Sequence, residues 1–263
     1  MTKIDKDFFK IPSVLQDIKV QKSFDANVKE KSYCDNNNRY KVIKKDLEKL
    51  YHLKCVYCEK KLLDSFRHIE HYRPKSTYFW LAYSWDNLFL CCEYCNTSKR
   101  IKFDIGGDEI SFSSEKFNTI HNLCDMYDKT EKPKIINPEK EDVFKELIFN
   151  ADGKISSNNT RITYTVEDVC KLNRSELQKL RIKDINDFIN RIQEHYLYYK
   201  KQKDKKDFSR FEPDVKQFIK DADKINEFYS IKRYFVDNVE KLFSDRLLSS
   251  IILLVKERII RCS

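Results

Sequence analysis

Two pairs of cysteines, Cys55 with Cys58 and Cys92 with Cys95, stand at the spacing that lets a tight turn aim two thiolates at one point. Four thiolates satisfy a tetrahedral Zn²⁺, and two such pairs in one chain are specific where a single pair would be weak. The 33 residues that separate Cys58 from Cys92 exceed the usual zinc-ribbon gap, so something folded must occupy it. That gap holds Arg67-His68-Ile69-Glu70-His71-Tyr72-Arg73-Pro74-Lys75 and then Trp85-Asp86-Asn87-Leu88, and the second cysteine pair runs into Asn96-Thr97-Ser98-Lys99. A carboxylate beside an imidazole supplies a hard oxygen ligand next to a base. Phosphodiester hydrolysis needs both: a divalent cation to offset developing charge and a base to deprotonate water. A redox role for the cysteine pairs is disfavoured, because no βαβ pattern surrounds either.

Elements must bring these residues together. Residues 1–38 read as irregular, ending in the polar turn Asp35-Asn36-Asn37-Asn38. Tyr40, Ile43, Leu47, Leu50 and Tyr51 then recur at helical spacing and lead straight into the first cysteine pair. Aromatic and β-branched stretches in 62–72 and 78–91, on either side of Pro74, suit two short strands and a loop. From Cys92 on, the polar series Asn96, Thr97, Ser98, Lys99 and Arg100 could open a helix. Residues 104–160 read as a loop-rich connector, with Gly106-Gly107, Asp152-Gly153 and short strands near 145–156. Beyond it a helical rhythm runs from Val166 to Ile192, with a break near Asn173-Arg174. A charged hinge at 200–206 precedes a last helical region at roughly 213–262. The expected organisation is therefore an N-terminal segment and helix (1–49), the cysteine-bounded module (50–103), the connector (104–160) and a helical C-terminal region (161–263).

Composition sets the outer limits. Hydrophobic residues make up 41% and aromatics 13%, enough for a buried core and too much for global disorder despite 35% charged residues. No apolar run, residues 251–255 included, approaches the length of a membrane span, and the first residues mix charges without an apolar stretch. A cytoplasmic protein with no membrane partner is expected. In that compartment nine cysteines are not a disulfide framework, and Cys34, Cys91, Cys124, Cys170 and Cys262 are expected as small buried hydrophobes. The net charge of +9 is uneven, with +6 over residues 39–104 and −4 over 105–159. A basic segment beside an acidic one points mildly to a polyanionic partner.

As an ordered set, Cys55/Cys58, Glu70-His71, Asn87-Leu88 and Cys92/Cys95-Asn96 with Lys99 closely resembles the HNH endonucleases, the ββα-metal nucleases. HIEHYRPKS, WLAYSWDNL and CCEYCNTSKRIKF are similar, more narrowly, to the HNH component of Septu and retron-associated antiphage systems, the PtuB-like group. One departure is Asp104-Ile105-Gly106-Gly107, where that group leads one to expect a proline and apolar residues. The resemblance implies an α+β fold, a zinc-stabilised ββα-metal module embedded in a mostly helical chain. It implies His71 as the general base, with Glu70 and the side-chain carbonyl of Asn96 holding one Mg²⁺ or Mn²⁺. Asn87 would brace the loop between the strands, Cys55, Cys58, Cys92 and Cys95 would hold a structural Zn²⁺, and Arg73, Lys75, Lys99 and Arg100 could bind flanking phosphates. It further implies a nucleic-acid substrate, DNA ahead of RNA, an ATPase partner that gates the nuclease, and in retron systems a reverse transcriptase with its RNA/DNA product.

Ideal strand alternation sends Glu70 and His71 to opposite sides, and His68 shares a face with Glu70, so His68 competes with His71 for the role of base. His52, His121 and His195 have no such context and are expected to be structural or exposed. The alternative to an enzyme is a zinc-stabilised nucleic-acid-binding or ATPase-docking module with a degenerate site.

Overall fold

Strand β1 is Arg67–His71 and strand β2 is Leu88–Cys92. They pair antiparallel, with Glu70 opposite Phe89 and His71 opposite Leu88. Every residue of β2 is buried, so both faces of this ribbon are covered, and its sequence is correspondingly apolar without alternation. The computed structural model describes residues 1–63, 67–202 and 207–261. They cluster into two units, Met1–Glu146 with Ser157–Leu172, and Leu147–Ser156 with Asn173–Ser263. Residues 105–146, expected as part of a separate connector, belong to the same unit as the cysteine-bounded module.

In the first unit, α1 (Ile18–Glu30) occupies a stretch expected to be irregular. Asp17 caps it by accepting the Lys19 N–H, Lys31 ends it in the left-handed region, and Val20, Phe24 and Asn27 form its buried face. Only two of those three residues are apolar, which hid the period. The helix expected around 40–51 begins as a 3₁₀ turn at Arg39–Ile43 and continues as α2, Lys44–Leu50; Tyr40, Ile43, Leu47 and Tyr51 are buried as their spacing required. Between β1 and β2 the loop folds into two 3₁₀ turns, Phe79–Leu81 and Trp85–Asn87. Helix α3 (Glu93–Lys99) follows β2 directly, just past Cys92 as expected, and Asn96 and Lys99 lie one turn apart in it.

Helix α4 (Cys124–Glu131) was not legible in the connector. The backbone N–H groups of Gly106 and Gly107 both donate to the Glu131 carbonyl at its C-terminal end. A Cβ on Gly107 would lie 2.0 Å from the Thr130 carbonyl oxygen. That contact accounts for Gly107, in the segment where the family resemblance leads one to expect a proline and apolar residues. Helix α5 (Thr160–Thr163), capped by Asn159, runs into a π-helical turn at Tyr164–Val169.

The second unit contains a two-residue ribbon, β3 (Ile148–Phe149) with β4 (Ile155–Ser156), near the positions expected. Its turn uses Gly153 at φ +81°, where a Cβ would meet the Gln178 carbonyl at 2.7 Å. Helix α6 (Ser175–Lys201) starts just past the expected break and buries Leu177, Ile185, Phe188, Ile192 and Tyr196. The final helical region resolves into α7 (Glu212–Asp221), α8 (Tyr229–Asp237) and α9 (Arg246–Arg261). Phe188 and Phe218 stack face to face at 4.0 Å and join α6 to α7. Residues 203–206 of the charged hinge and Cys262 lie outside the described residues. Among the described residues no helix is long and apolar enough to cross a membrane.

Candidate active site

The two cysteine pairs converge. The Sγ atoms of Cys55, Cys58, Cys92 and Cys95, all buried, lie within 4.8 Å of one another. Those of Cys58 and Cys92 are 3.8 Å apart, the edge length of a tetrahedron with metal–sulfur bonds of about 2.3 Å. The Cys92 Sγ accepts the Cys95 N–H at 3.4 Å, which orients the second knuckle. Burial pushes the Cys55 thiol well up. A thiophilic divalent cation offsets that cost, so the donor set fits Zn²⁺. Cys91, Cys124 and Cys170 are buried, as expected, whereas Cys34 is exposed.

Glu70 and His71 lie at the end of β1, and both are almost fully buried. The pleat sends their side chains different ways, yet Lys75 and Lys99 bear on both. Glu70 Oε1 sits 2.6 Å from Lys99 Nζ, and the same ammonium donates to the His71 carbonyl at 2.8 Å. Burial nonetheless leaves the Glu70 carboxyl above its ordinary range. His71 Nε2 is 3.0 Å from the Ala82 carbonyl oxygen. A carbonyl can only accept, so Nε2 carries the hydrogen and Nδ1 the lone pair. Burial, with Lys75 and Lys99 nearby, lowers the His71 pKa to about 3, which keeps the ring neutral near pH 7. His68, opposite Cys91 on β2, has a buried Nε2 with no hydrogen-bond partner among the described residues.

Asn87 closes the loop between the strands. Its Oδ1 accepts the Arg73 N–H at 2.7 Å, and its Nδ2 donates to the carbonyls of Arg73 and Leu81, both at 3.1 Å. Leu81 adjoins Ala82, so these bonds fix the carbonyl that His71 uses. Asn96 is half-buried on α3, one turn before Lys99.

Of the four cations expected at phosphate, two are placed otherwise. Arg73 is 0% exposed. Its Nε donates to Glu131 at 2.7 Å and its Nη2 to Asp128 at 2.6 Å, both on α4, and the guanidinium lies 5.0 Å from the Phe103 ring. Lys99 is equally buried against Glu70. The acidic partners of Arg73, Asp128 and Glu131, sit in the segment of net negative charge, and nothing in local spacing tied them to it. Lys75 is half-buried, its Nζ 3.8 Å above the Tyr33 ring, and burial with Lys41 lowers its pKa to about 8. Arg100 is exposed.

Tyr40, whose ring is 4.6 Å from that of His71, was legible only as an apolar helix position. The Ala82 carbonyl had no signal in the sequence at all, since a backbone group carries none.

Residues 55–101 match the family model of the HNH endonuclease. The chain is 38% identical over 72 residues to the Septu protein PtuB of Bacillus mycoides (strain KBAB4), which covers 22% of this chain and 24% of that protein. It is 41% identical over 59 residues to the Septu protein PtuB of Bacillus thuringiensis, covering 22% and 23%. A weaker similarity, 24% identity over 162 residues, links it to the Septu protein PtuA of Bacillus mycoides (strain KBAB4), over 57% of this chain and 21% of that protein. The matches span about a quarter of the length of these curated relatives.

Proposed function

We propose that this chain, which carries an HNH endonuclease module at residues 55–101, hydrolyses phosphodiester bonds in nucleic acid, DNA ahead of RNA, as the nuclease of a Septu-like defence system. The observation that carries the reading is the geometry of His71: the Ala82 carbonyl holds Nε2–H, which leaves the Nδ1 lone pair as the acceptor for a proton. An oriented imidazole with a free lone pair is the geometric requirement for taking a proton from water.

The remaining residues fit the same reaction. The Glu70 carboxylate, whose Oε1 lies 2.6 Å from Lys99 Nζ, and the Asn96 amide are hard oxygen donors that would hold the Mg²⁺ or Mn²⁺. That cation supplies Lewis-acid stabilisation of the charge developing on the phosphate. Asn87 holds the loop that presents the Ala82 carbonyl. Cys55, Cys58, Cys92 and Cys95 would hold a structural Zn²⁺ that fixes the turn after α2 against the start of α3. Lys75 and Arg100 remain for flanking phosphates. The similarity to Septu proteins supports a partner protein; we take that partner to be an ATPase that gates cleavage, joined in a retron setting by a reverse transcriptase and its product. We place the chain in the cytoplasm.

The test is cleavage of plasmid DNA, single-stranded DNA and RNA by the chain co-purified with the product of its neighbouring gene, with and without Mg²⁺ or Mn²⁺. Metal-dependent cleavage lost in His71→Ala supports the reading; no cleavage under any of these conditions removes it.

The Lys99–Glu70 pair favours a second reading, a nucleic-acid-binding or ATPase-docking module whose metal position is filled by its own ammonium. Calorimetric titration separates the two: Mn²⁺ binding by the wild-type chain sustains the nuclease, and binding only by Lys99→Met sustains the silent module.

A further inference from the structure

The proposed base is held from outside its own module. Tyr40 belongs to the 3₁₀ turn Arg39–Ile43, ahead of the first cysteine pair. It is 7% exposed, and its ring meets that of His71 edge to face, 4.6 Å between centroids at 77°. Its hydroxyl accepts from Lys75 Nζ at 3.3 Å. That ammonium lies 3.8 Å over the Tyr33 ring and 4.6 Å over the Tyr40 ring, and the two tyrosine rings are 6.3 Å apart.

An imidazole anchored at Nε2 alone can still turn about its broad terminal torsion. A ring packed edge-on removes that freedom and sets the direction of the Nδ1 lone pair. The hydroxyl of the same tyrosine fixes a cation that is only half-buried. A leucine would fill the apolar position but could do neither.

We infer that Tyr40 is a positioning residue for His71, and that Tyr33 and Tyr40 together hold the Lys75 ammonium as a contact for a flanking phosphate. The inference rests on the reading of His71 as base. It assigns the two halves of one side chain to different steps, the ring to catalysis through His71 and the hydroxyl to substrate binding through Lys75.

The experiment compares Tyr40→Leu, Tyr40→Phe and Lys75→Met in the full chain, with zinc content and thermal melting confirming that each is folded. Tyr40→Leu is expected to lower kcat on a 30-base-pair DNA duplex by about 10- to 100-fold, the scale of a misplaced catalytic group, and, having lost the hydroxyl as well, to weaken duplex binding as Tyr40→Phe does. Tyr40→Phe keeps the ring, so kcat stays near wild type while the Kd for the duplex rises, as it does in Lys75→Met. A readout independent of cleavage is the imidazole ¹⁵N spectrum of His71. The wild-type chain and Tyr40→Phe should show a single Nε2–H tautomer, and Tyr40→Leu a mixture. A wild-type spectrum in Tyr40→Leu, or equal kcat in the Leu and Phe variants, overturns the inference. If the wild-type chain cleaves nothing, the nuclease reading fails, and the tautomer comparison still decides whether Tyr40 positions His71.

Discussion

Two histidines three residues apart on one strand differ in what surrounds them. His71 has its Nε2 engaged and its ring clamped, whereas His68 Nε2 has no partner among the described residues. A general base contributes about 10²–10⁴-fold, so His71→Ala should cut metal-dependent cleavage by that factor and leave zinc content unchanged. His68→Ala should act only through stability; assays of the two variants side by side decide between them, and loss with His68→Ala alone would move the base by three residues. A third histidine sets an acid limit. His121 is 2% exposed, its Nδ1 accepts the Trp85 N–H at 3.3 Å, and burial lowers its pKa to about 4. The unfolded chain therefore takes up this proton first, near pH 6.5. Stability from this residue is complete above that pH and is lost as pH falls toward 4, by up to about 3 kcal/mol. Thermal melts at pH 7 and pH 5 should show a smaller loss for His121→Gln than for the wild-type chain, and equal losses would remove the assignment.

At the scale of elements, the ββα arrangement depends on what clamps its ends. The two knuckles are placed at the end of α2 and the start of α3, and structural zinc at such sites contributes about 10–16 kcal/mol of apparent binding energy. Elemental analysis should return one zinc per chain, and Cys58→Ser should lose the metal together with the near-ultraviolet signal of the buried Trp80 and Trp85. A zinc-free chain that keeps this signal and its thermal midpoint would refute the clamp. The other clamp is ionic. Removing one member of a buried pair leaves the other uncompensated, at a cost of about 3–5 kcal/mol. Arg73→Met should therefore destabilise the chain by that amount in urea unfolding, because Glu131 and Asp128 lose their shared cation. The cysteine spacing, the strand pair and the helical face of Tyr40, Ile43, Leu47 and Tyr51 could all be read from the chain, since each rests on local periodicity or a ligand turn. Helix α1, α4 and the fate of Arg73 could not. α1 buries Asn27 where a third apolar residue would have marked its period, and Arg73 is matched to acids 55 and 58 residues away.

For the whole molecule, charge placement changes what the basic surplus means. The +6 of residues 39–104 includes Arg73 and Lys99, both neutralised inside the fold. Of the four expected phosphate contacts only Lys75 and Arg100 remain available. Each duplex phosphate contact contributes about −0.9 to the slope of log affinity against log salt. Binding by the isolated chain should thus show a shallow slope, near −2 if these two residues act alone, and Arg100→Ala should reduce it by about one unit. A slope near −4 would mean that other surfaces grip the nucleic acid, and no slope would favour docking on a protein.

The recognisable part of this chain and its physically autonomous part are not the same length. The family match ends at residue 101, but Arg73 is held by α4, the Glu131 carbonyl by Gly106 and Gly107, and the His71 ring by Tyr40. A graft of residues 55–101 into another scaffold would carry every motif residue and leave those three attachments behind. Portability stops where these attachments begin: the smallest transplant expected to retain an ordered His71 starts before Tyr33 and runs past Glu131. Swaps between relatives that cut at the motif boundaries should yield chains that still bind zinc but no longer hold the imidazole in place.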